Sequence, residues 1–259
     1  MPQHCTTPAS RRRVSLLVAS TVLATIAGLA PATTAAAAGS PAPGAVRTGV
    51  QTAAAPWAVT WTTTLRPGVK GSAVRDAQLR LKALGYWVGP TDGQYGSQTT
   101  QAVLAMQKTA GSPRTGVIGR VERNILTAGI RPQARTTTGS TLEIDLKRQL
   151  LLVVVGGRTR WAFNTSTGNG RYYYQYGVRH RATTPRGHFS VIRQIDGPHV
   201  SPLGLLYRPK FFVGGYAVHG SLSIPAYPAS HGCARVSNSA INYLWASRLM
   251  PIGRRLWVY

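Results

Sequence analysis

The chain has 259 residues, with 30 Lys and Arg against 6 Asp and Glu, and its formal net charge is +24 at pH 7. A charge of this size draws a protein to polyanions. The arginines are scattered and no nucleic-acid reader motif accompanies them, which disfavours a nucleic-acid-binding protein.

The first 38 residues have the pattern of a signal peptide. Three arginines at 11–13 precede the apolar run Val14–Ala30, and small residues at 36–38 suit cleavage. Polar interruptions in the run favour cleavage over a membrane anchor, so we expect no stable membrane span afterwards. Cleavage lowers the charge from +24 to +21. It also removes Cys5, which leaves one cysteine and excludes an intramolecular disulfide. We expect a secreted, wall-associated protein that is attracted to anionic wall polymers.

Residues 39–64 and 65–130 differ sharply in pattern. The first range is rich in Ala, Thr, Pro and Gly and lacks acidic residues, which predicts a disordered linker. The second follows helical spacing, with helices predicted through Val74 to Leu84, from Ser97, and from about Arg120 to Leu126. The sequence therefore predicts a small all-α domain of three helices.

Glycines recur at intervals in this helical block. The pattern consists of Leu84-Gly85-Tyr86, the glycine-rich segment Gly89–Gly96, and Met106-Gln107. The block resembles the three-helix peptidoglycan-binding domain that is often appended to wall hydrolases. It departs from that family at Arg114–Gly119, where the usual Asp before the last glycine is missing. The resemblance implies binding to peptidoglycan glycan. The alternative is a helical spacer without a ligand.

A second linker, 131–140, leads to a block with strand periodicity at 141–259. Alternating and β-branched runs predict strands, and Ser237 can cap a helix that continues to about Ser247. About 120 residues suffice for one independent core. The predicted strands are Leu142–Leu146, Leu150–Val155, Trp161–Thr165, Gly187–Ile192, Tyr216–Val218 and Leu256–Val258.

Two histidines and a cysteine lie within fifteen residues near the C-terminus: His219, His231 and Cys233. Acyl transfer by a thiol needs a sulfur that can lose its proton and an imidazole that accepts it. It also needs backbone N–H groups aimed at a developing oxyanion, and Gly220 and Gly232 supply the conformational freedom. The pattern favours a reactive-thiol site.

Four segments of this block carry a second resemblance: Ser166–Gly168, Thr183–Phe189, Ala217–Gly220 and Ser230–Arg235. In this order they resemble the catalytic domain of the L,D-transpeptidases, which has the YkuD-type fold. The whole chain is then multidomain, with a small all-α domain followed by a mostly-β catalytic domain. Only ten residues separate His219 from Ser230, fewer than in many members, so we expect a trimmed loop there. We expect no metal and no cofactor.

The resemblance implies a role for each residue of the motif. Cys233 is the nucleophile and His219 its general base, with the Gly220 carbonyl orienting the imidazole in place of a carboxylate. Residues His231 and Gly232 shape the oxyanion hole, although His231 is equally consistent with a structural hydrogen bonder. The substrate-binding residues are Arg235, for a carboxylate, and Ser230. We interpret His180, His188 and His199 as structural or solvent-facing.

The implied substrate is a peptidoglycan tetrapeptide stem. The thiol attacks the carbonyl before the terminal D-alanine, D-alanine leaves, and a thioester remains. An amine from another stem resolves the thioester into a 3-3 cross-link, whereas water makes the enzyme an L,D-carboxypeptidase. Deleting 65–130 is expected to weaken wall retention and to spare activity on small soluble stems.

Four other interpretations of these residues exist. A sortase places its histidine much further upstream, and papain-like enzymes have Cys before His. A zinc site at His219, His231 and Cys233 lacks a recognised ligand spacing and an acidic partner. A non-catalytic wall-binding protein stays open as an alternative.

Overall fold

The computed structural model describes residues 57–259, which lie in one compact unit. The predicted signal peptide at 1–38 and residues 39–56 of the predicted linker lie outside the described residues. Within 57–259, no helix is both long enough and apolar enough to cross a membrane.

The last eight residues of the predicted linker, 57–64, differ from the expectation of a disordered spacer. Trp57, Val59 and Trp61 are partly buried against the helical core. The Arg80 guanidinium lies 4.6 Å from the centroid of the Trp57 ring. Burial of these apolar side chains joins this stretch to the helical domain.

Three helices follow: α1 Ser72–Ala83, α2 Ser97–Ala110 and α3 Arg120–Ala128. They confirm the predicted all-α domain. Helices α2 and α3 both end at a glycine in the left-handed conformation, as is common for helix C-termini. At the start of α3 the Glu122 side chain accepts the Gly119 N–H at 3.0 Å, which satisfies a donor that the helix leaves free.

The rest of the chain is mostly β-structure, as predicted. One five-stranded sheet has the order β3-β2-β1-β12-β6, a second has the order β11-β10-β9-β7 with β8 also paired to β9, and β4 and β5 form a two-stranded ribbon. The strands are β1 Thr141–Asp145, β2 Leu150–Val155, β3 Arg158–Asn164, β4 Tyr172–Gln175, β5 Val178–Arg181, β6 Gly187–Ser190, β7 Arg193–Gln194, β8 Pro198–Ser201, β9 Gly204–Val213, β10 Tyr216–Ser221, β11 Ala234–Ser237 and β12 Arg255–Val258, with helix α4 Asn238–Ala246 after β11.

Strand β1 differs from its predicted alternation because both of its faces are buried. Glu143, on the face predicted to be polar, is inaccessible to solvent. Its carboxylate accepts the backbone N–H groups of Arg135 and Thr136 and the hydroxyl of Tyr259, at 2.7–3.0 Å. These bonds compensate for the burial of the charge.

The helical domain shares its core with the catalytic domain. Leu150, Leu152, Val154 and Ala162, from β2 and β3, pack in one cluster with the apolar faces of the three helices. The chain at Gly85–Trp87 also pairs with β3: Trp87 N–H donates to Ala162 O at 3.0 Å, and Ala162 N–H donates to Gly85 O at 2.8 Å. The helical domain is therefore not a separately packed attachment, and its deletion exposes apolar surface of the large sheet.

Candidate active site

Parallel strands β10 and β11 place the motif residues together. Their register pairs Val218 with Ala234 and His219 with Arg235. Cys233 lies in the bend that leads directly into β11, next to Ala234 and two residues before Arg235. His219, Cys233 and Arg235 line one cavity of about 500 Å³.

The imidazole of His219 is buried, with 5% exposure, and its Nδ1 lies 2.9 Å from the Gly220 carbonyl oxygen. A carbonyl only accepts hydrogen bonds, so this contact places the proton on Nδ1 and leaves Nε2 as an acceptor. Burial lowers the pKa of His219 to about 4, the carbonyl contact opposes that shift, and the cation of Arg235 adds to it. The imidazole is neutral at neutral pH.

The thiol of Cys233 is half-buried, and its Sγ lies 3.8 Å from the Gly215 carbonyl oxygen. Burial raises the pKa of this thiol, while a backbone contact at Ala217 and the positive charge of Arg235 partly offset the shift. The resting pair is therefore a neutral thiol and a neutral imidazole. A proton acceptor is needed at the moment of attack, and His219 in its Nδ1–H form can supply one.

Ser230 closes the turn that carries the thiol. Its buried hydroxyl donates to Cys233 O at 2.6 Å and accepts the Gly232 N–H at 3.0 Å. Both bonds lie within the turn, so the serine hydroxyl shapes this loop. Ser230 also lines the cavity, and its predicted contact with substrate stays a prediction. The Gly232 N–H is also already engaged.

Two of the segments that resemble the L,D-transpeptidase family, at 166–168 and 183–189, form hydrogen bonds with the same turn. Thr184 Oγ1 donates to Gly232 O at 2.7 Å and accepts the Gly168 N–H at 3.0 Å. Thr167 O accepts the Ser230 N–H at 3.0 Å. The segments at 166–168 and 183–184 are thus a scaffold for the loop that carries Cys233.

Gly220 and Gly232 are both required by space, but only Gly232 is also required by conformation, because Gly220 lies in β10 without a positive φ. A Cβ on Gly232, where φ is 143°, would lie 2.4 Å from the Tyr216 ring and 2.8 Å from Thr183 O. A Cβ on Gly220 would lie 2.6–2.8 Å from side chains that include Ile241. Neither site accepts a larger residue without movement of its neighbours.

Two hairpins that the sequence analysis missed form the cavity walls. The β4–β5 hairpin contributes Tyr173 and His180, and residues 201–206, around the β8–β9 turn, form the facing wall. The Tyr173 ring stacks on His180 at 5.5 Å and meets His231 edge-on at 4.8 Å. His231 is therefore half-buried under a tyrosine at the edge of the site.

The three histidines outside the motif occupy different places. His180 is solvent-exposed but lines the cavity, which the sequence analysis did not predict. His188 stacks on Trp257 and His199 packs edge-on against Phe211. Within residues 57–259 no group of three or more His, Cys, Asp or Glu side chains is close enough to hold a metal ion.

Comparisons with known proteins agree with both parts of the chain. Residues 70–126 match the family described as "Putative peptidoglycan binding domain", and residues 139–254 match the "L,D-transpeptidase catalytic domain" family of YkuD type. A relative described as "Probable N-acetylmuramoyl-L-alanine amidase", from Bacillus licheniformis, is 38% identical over 66 residues. That match covers 25% of this chain and only 19% of the relative.

Solved structures give a fuller match. The crystal structure of the L,D-transpeptidase from Xylanimonas cellulosilytica is 52% identical, covers 75% of this chain and 96% of its own, and superposes with a TM-score of 0.73. An L,D-transpeptidase from Stackebrandtia nassauensis is 22% identical over 75% of this chain and 94% of its own, with a TM-score of 0.43. On the strength of the first structure and the catalytic-domain match, this chain belongs to the L,D-transpeptidase family.

Proposed function

We propose that Cys233 is the nucleophile and His219 the general base of a transpeptidation that proceeds through a thioester. The observation that carries this proposal is that both side chains line one cavity, with the imidazole held through Nδ1 by the Gly220 carbonyl. Nε2 then accepts the thiol proton as sulfur attacks, so no free thiolate has to accumulate.

The proposed donor is a peptidoglycan tetrapeptide stem. Sulfur adds to the carbonyl between the third residue and the terminal D-alanine. The proton held by His219 then passes to the departing amine, so D-alanine leaves and the third residue stays bound to Cys233 as a thioester. An amine on the third residue of a second stem attacks the thioester and gives up a proton to His219. The C–S bond then breaks, the proton passes to the Cys233 sulfur, and the new amide is a 3-3 cross-link. Resolution by water is the alternative and makes the enzyme an L,D-carboxypeptidase.

The oxyanion that forms during both steps needs N–H donors. Because the Gly232 N–H is bound to Ser230, we assign the donor role to the Cys233 N–H, with Gly232 and His231 shaping the surrounding backbone. Arg235 lines the cavity and is the proposed contact for a substrate carboxylate, because a guanidinium can donate two parallel hydrogen bonds to a carboxylate.

The peptidoglycan-binding domain and the transpeptidase domain together imply a peptidoglycan substrate and a place at the cell wall. We further propose that the chain is exported with the signal peptide at 1–38, that its helical domain binds wall glycan, and that its cross-linking contributes to wall organisation and cell shape. Positive charge adds attraction to anionic wall polymers.

The test is to incubate the chain with a soluble disaccharide-tetrapeptide and to identify the products by mass spectrometry. A dimer that has lost one D-alanine supports cross-linking, and a tripeptide product supports the carboxypeptidase alternative. Cys233→Ala is the matched control and is expected to give neither product while keeping the fold. D-alanine release by Cys233→Ala contradicts the thioester mechanism. An inert wild-type chain with a reduced thiol favours a non-catalytic wall-binding protein.

A further inference from the structure

A buried lysine lies where helix α2 meets the catalytic sheet. Lys108 has 2% exposure, although a lysine is rarely buried without a partner. Its Nζ donates to the backbone oxygens of Gln149 and Thr165, each at 3.0 Å, and to Oδ1 of Asn164. Three oxygen acceptors match the three N–H groups of an ammonium. The partners all belong to the catalytic domain.

Burial lowers the pKa of Lys108 to about 7, and the positive charge of Arg114 adds to the shift. None of its three hydrogen-bond partners is a carboxylate, so the charge is held by neutral oxygens alone. The proposed mechanism makes no use of Lys108.

From Asn164 the contacts continue to the segment that joins His219 to Cys233. The Asn164 amide donates to Gln101 Oε1 at 2.6 Å and to the Ile224 carbonyl oxygen at 3.3 Å. Gln101, on α2, also reaches the Ile224 oxygen, at 3.5 Å. Helix α2 therefore holds the middle of this segment.

Two further contacts hold the segment and the strand that follows Cys233. Arg114, just after α2, donates to the Ala226 carbonyl oxygen at 2.9 Å. Thr165, whose carbonyl binds Lys108, donates its hydroxyl to the Arg235 carbonyl oxygen at 2.7 Å. None of residues 222–229 lines the cavity, so the contacts to Ile224 and Ala226 fix the connection between the two reacting side chains. The Thr165 contact holds the backbone of Arg235, which does line the cavity.

We propose that helix α2 is a positioning element of the active site, in which Lys108 and Gln101 fix the segment between His219 and Cys233, a role in addition to any wall binding. The inference rests on the proposed functions of His219 and Cys233. It makes the helical domain part of the catalytic apparatus, because small displacements of reacting groups lower rates strongly.

The test compares Gln101→Leu with Gln101→Glu in the full exported chain. Glutamate keeps an oxygen that accepts the Asn164 amide, whereas leucine does not. Lys82→Met, an exposed lysine on α1, is the matched control for Lys108→Met. Two rates are measured: D-alanine release from a soluble tetrapeptide stem, and alkylation of Cys233 by iodoacetamide, which needs no stem substrate.

We expect Gln101→Leu to lower both kcat and the alkylation rate constant about tenfold, with KM changed less than about twofold. Gln101→Glu keeps the Asn164 contact but loses the donor to the Ile224 oxygen, so its values should lie between those of Gln101→Leu and the wild type. Lys82→Met should retain wild-type values, and Lys108→Met should lose as much as Gln101→Leu or more. If Lys108→Met fails to fold, the two Gln101 variants and the surface variant Arg114→Gln still test whether α2 positions the active site.

The proposal is overturned if folded Gln101→Leu and Arg114→Gln keep wild-type values in both measurements, or if Lys82→Met loses as much as they do. A chain inert towards stems would refute the proposed reaction alone. The alkylation rates would still report whether α2 positions the thiol.

Discussion

At the scale of single residues, the site holds its histidine without a carboxylate. The Gly220 carbonyl fixes the Nδ1–H form of His219 at 2.9 Å, but it carries no full negative charge. Desolvation of the imidazolium is therefore offset only weakly, and the pKa of His219 falls to about 4. The same burial raises the pKa of Cys233. Both groups are therefore neutral at neutral pH.

The first prediction concerns pH. A β-lactam, whose strained amide a thiol can open, serves as the acylating probe, and the adduct on Cys233 is followed by intact-protein mass spectrometry. Neutral imidazole is the active form, so the rate constant should rise as the pH rises through about 4 and be level from about pH 5 to neutrality. His219→Ala should lower this plateau by about a hundredfold or more.

Tryptophan fluorescence at each pH is the control that the chain is folded. A rise centred near pH 6.5, the ordinary range of imidazole, would contradict the buried neutral histidine.

A second residue-scale prediction concerns Gly232. Gly232→Ala places a Cβ within 2.4 Å of the Tyr216 ring and strains a backbone φ of 143°. We expect the rate of D-alanine release to fall about a hundredfold or more, because the loop that carries Cys233 has to move. Gly96→Ala is the matched control, since its Cβ meets nothing within 4 Å and its φ is −92°. Equal activity of the two variants would show that the loop adapts freely.

At the scale of elements, the hairpins decide the shape of the cavity. In the β4–β5 hairpin Tyr176 and Gly177 both have positive φ, 51° and 75°, which is the geometry of a tight two-residue turn. Alternation then directs Tyr173 towards the cavity and leaves Tyr174 72% exposed. The hairpin presents one face to the substrate site and one to solvent.

Tyr173→Ala should therefore weaken substrate binding, and Tyr174→Ala should not. Loss of the Tyr173 ring removes apolar surface and the edge contact to His231, so we expect KM for the soluble stem to rise about tenfold. The fold should be unaffected in both, as judged by circular dichroism. Steady-state kinetics of the two variants side by side give the answer, and equal KM values would mean that this wall does not contact the stem.

Strand β9 was missed because its sequence breaks the strand pattern. Pro209 lies in its middle, where a central strand disfavours proline, and Arg208 has a φ of 49°. At this point β9 changes neighbours: β8 pairs with residues 204–207 and β7 with 210–211. A proline is tolerated where pairing changes, and only the assembled sheet reveals that position.

At the scale of the whole molecule, one core connects the helices with the large sheet. Leu150, Leu152 and Val154 face the helical domain. Burial of each such aliphatic side chain contributes about 1.5–3 kcal/mol. The sum is comparable to the whole stability of a typical domain, about 5–15 kcal/mol. The catalytic domain therefore depends on its neighbour for stability.

The fourth prediction is that the full chain unfolds in a single thermal transition, with circular dichroism and tryptophan fluorescence reporting the same midpoint. Deletion of 65–130 should give an aggregated or unfolded protein rather than a soluble active domain, contrary to the expectation from sequence. Full-length Cys233→Ala, which leaves the shared core intact, is the control and should unfold like the wild type. A soluble, folded 131–259 fragment that releases D-alanine would contradict the shared core.

The sequence by itself determined the order of the two domains, the structural class of each, and the motif that carries the residues proposed to react. Helical spacing located α2 at Ser97, β-branched runs located β2, and Ser237 caps α4 by accepting the Ala240 N–H at 3.1 Å. These signals are local, since they depend on residues within a turn or two of one another. The motif at 219–235 likewise contains both proposed reacting residues and the backbone carbonyl that orients one of them.

Only the tertiary structure decided what surrounds that motif. The pairing of β10 with β11 brings the bend that carries Cys233 close to His219, and the β4–β5 and β8–β9 hairpins, both upstream of the motif, form walls of the cavity. The buried Lys108 reaches acceptors 41–57 residues away. Such contacts depend on how distant segments pack, and residue spacing in one chain carries no signal for them. For the same physical reason, the helical domain could be recognised from its sequence, but its share in the catalytic core could not.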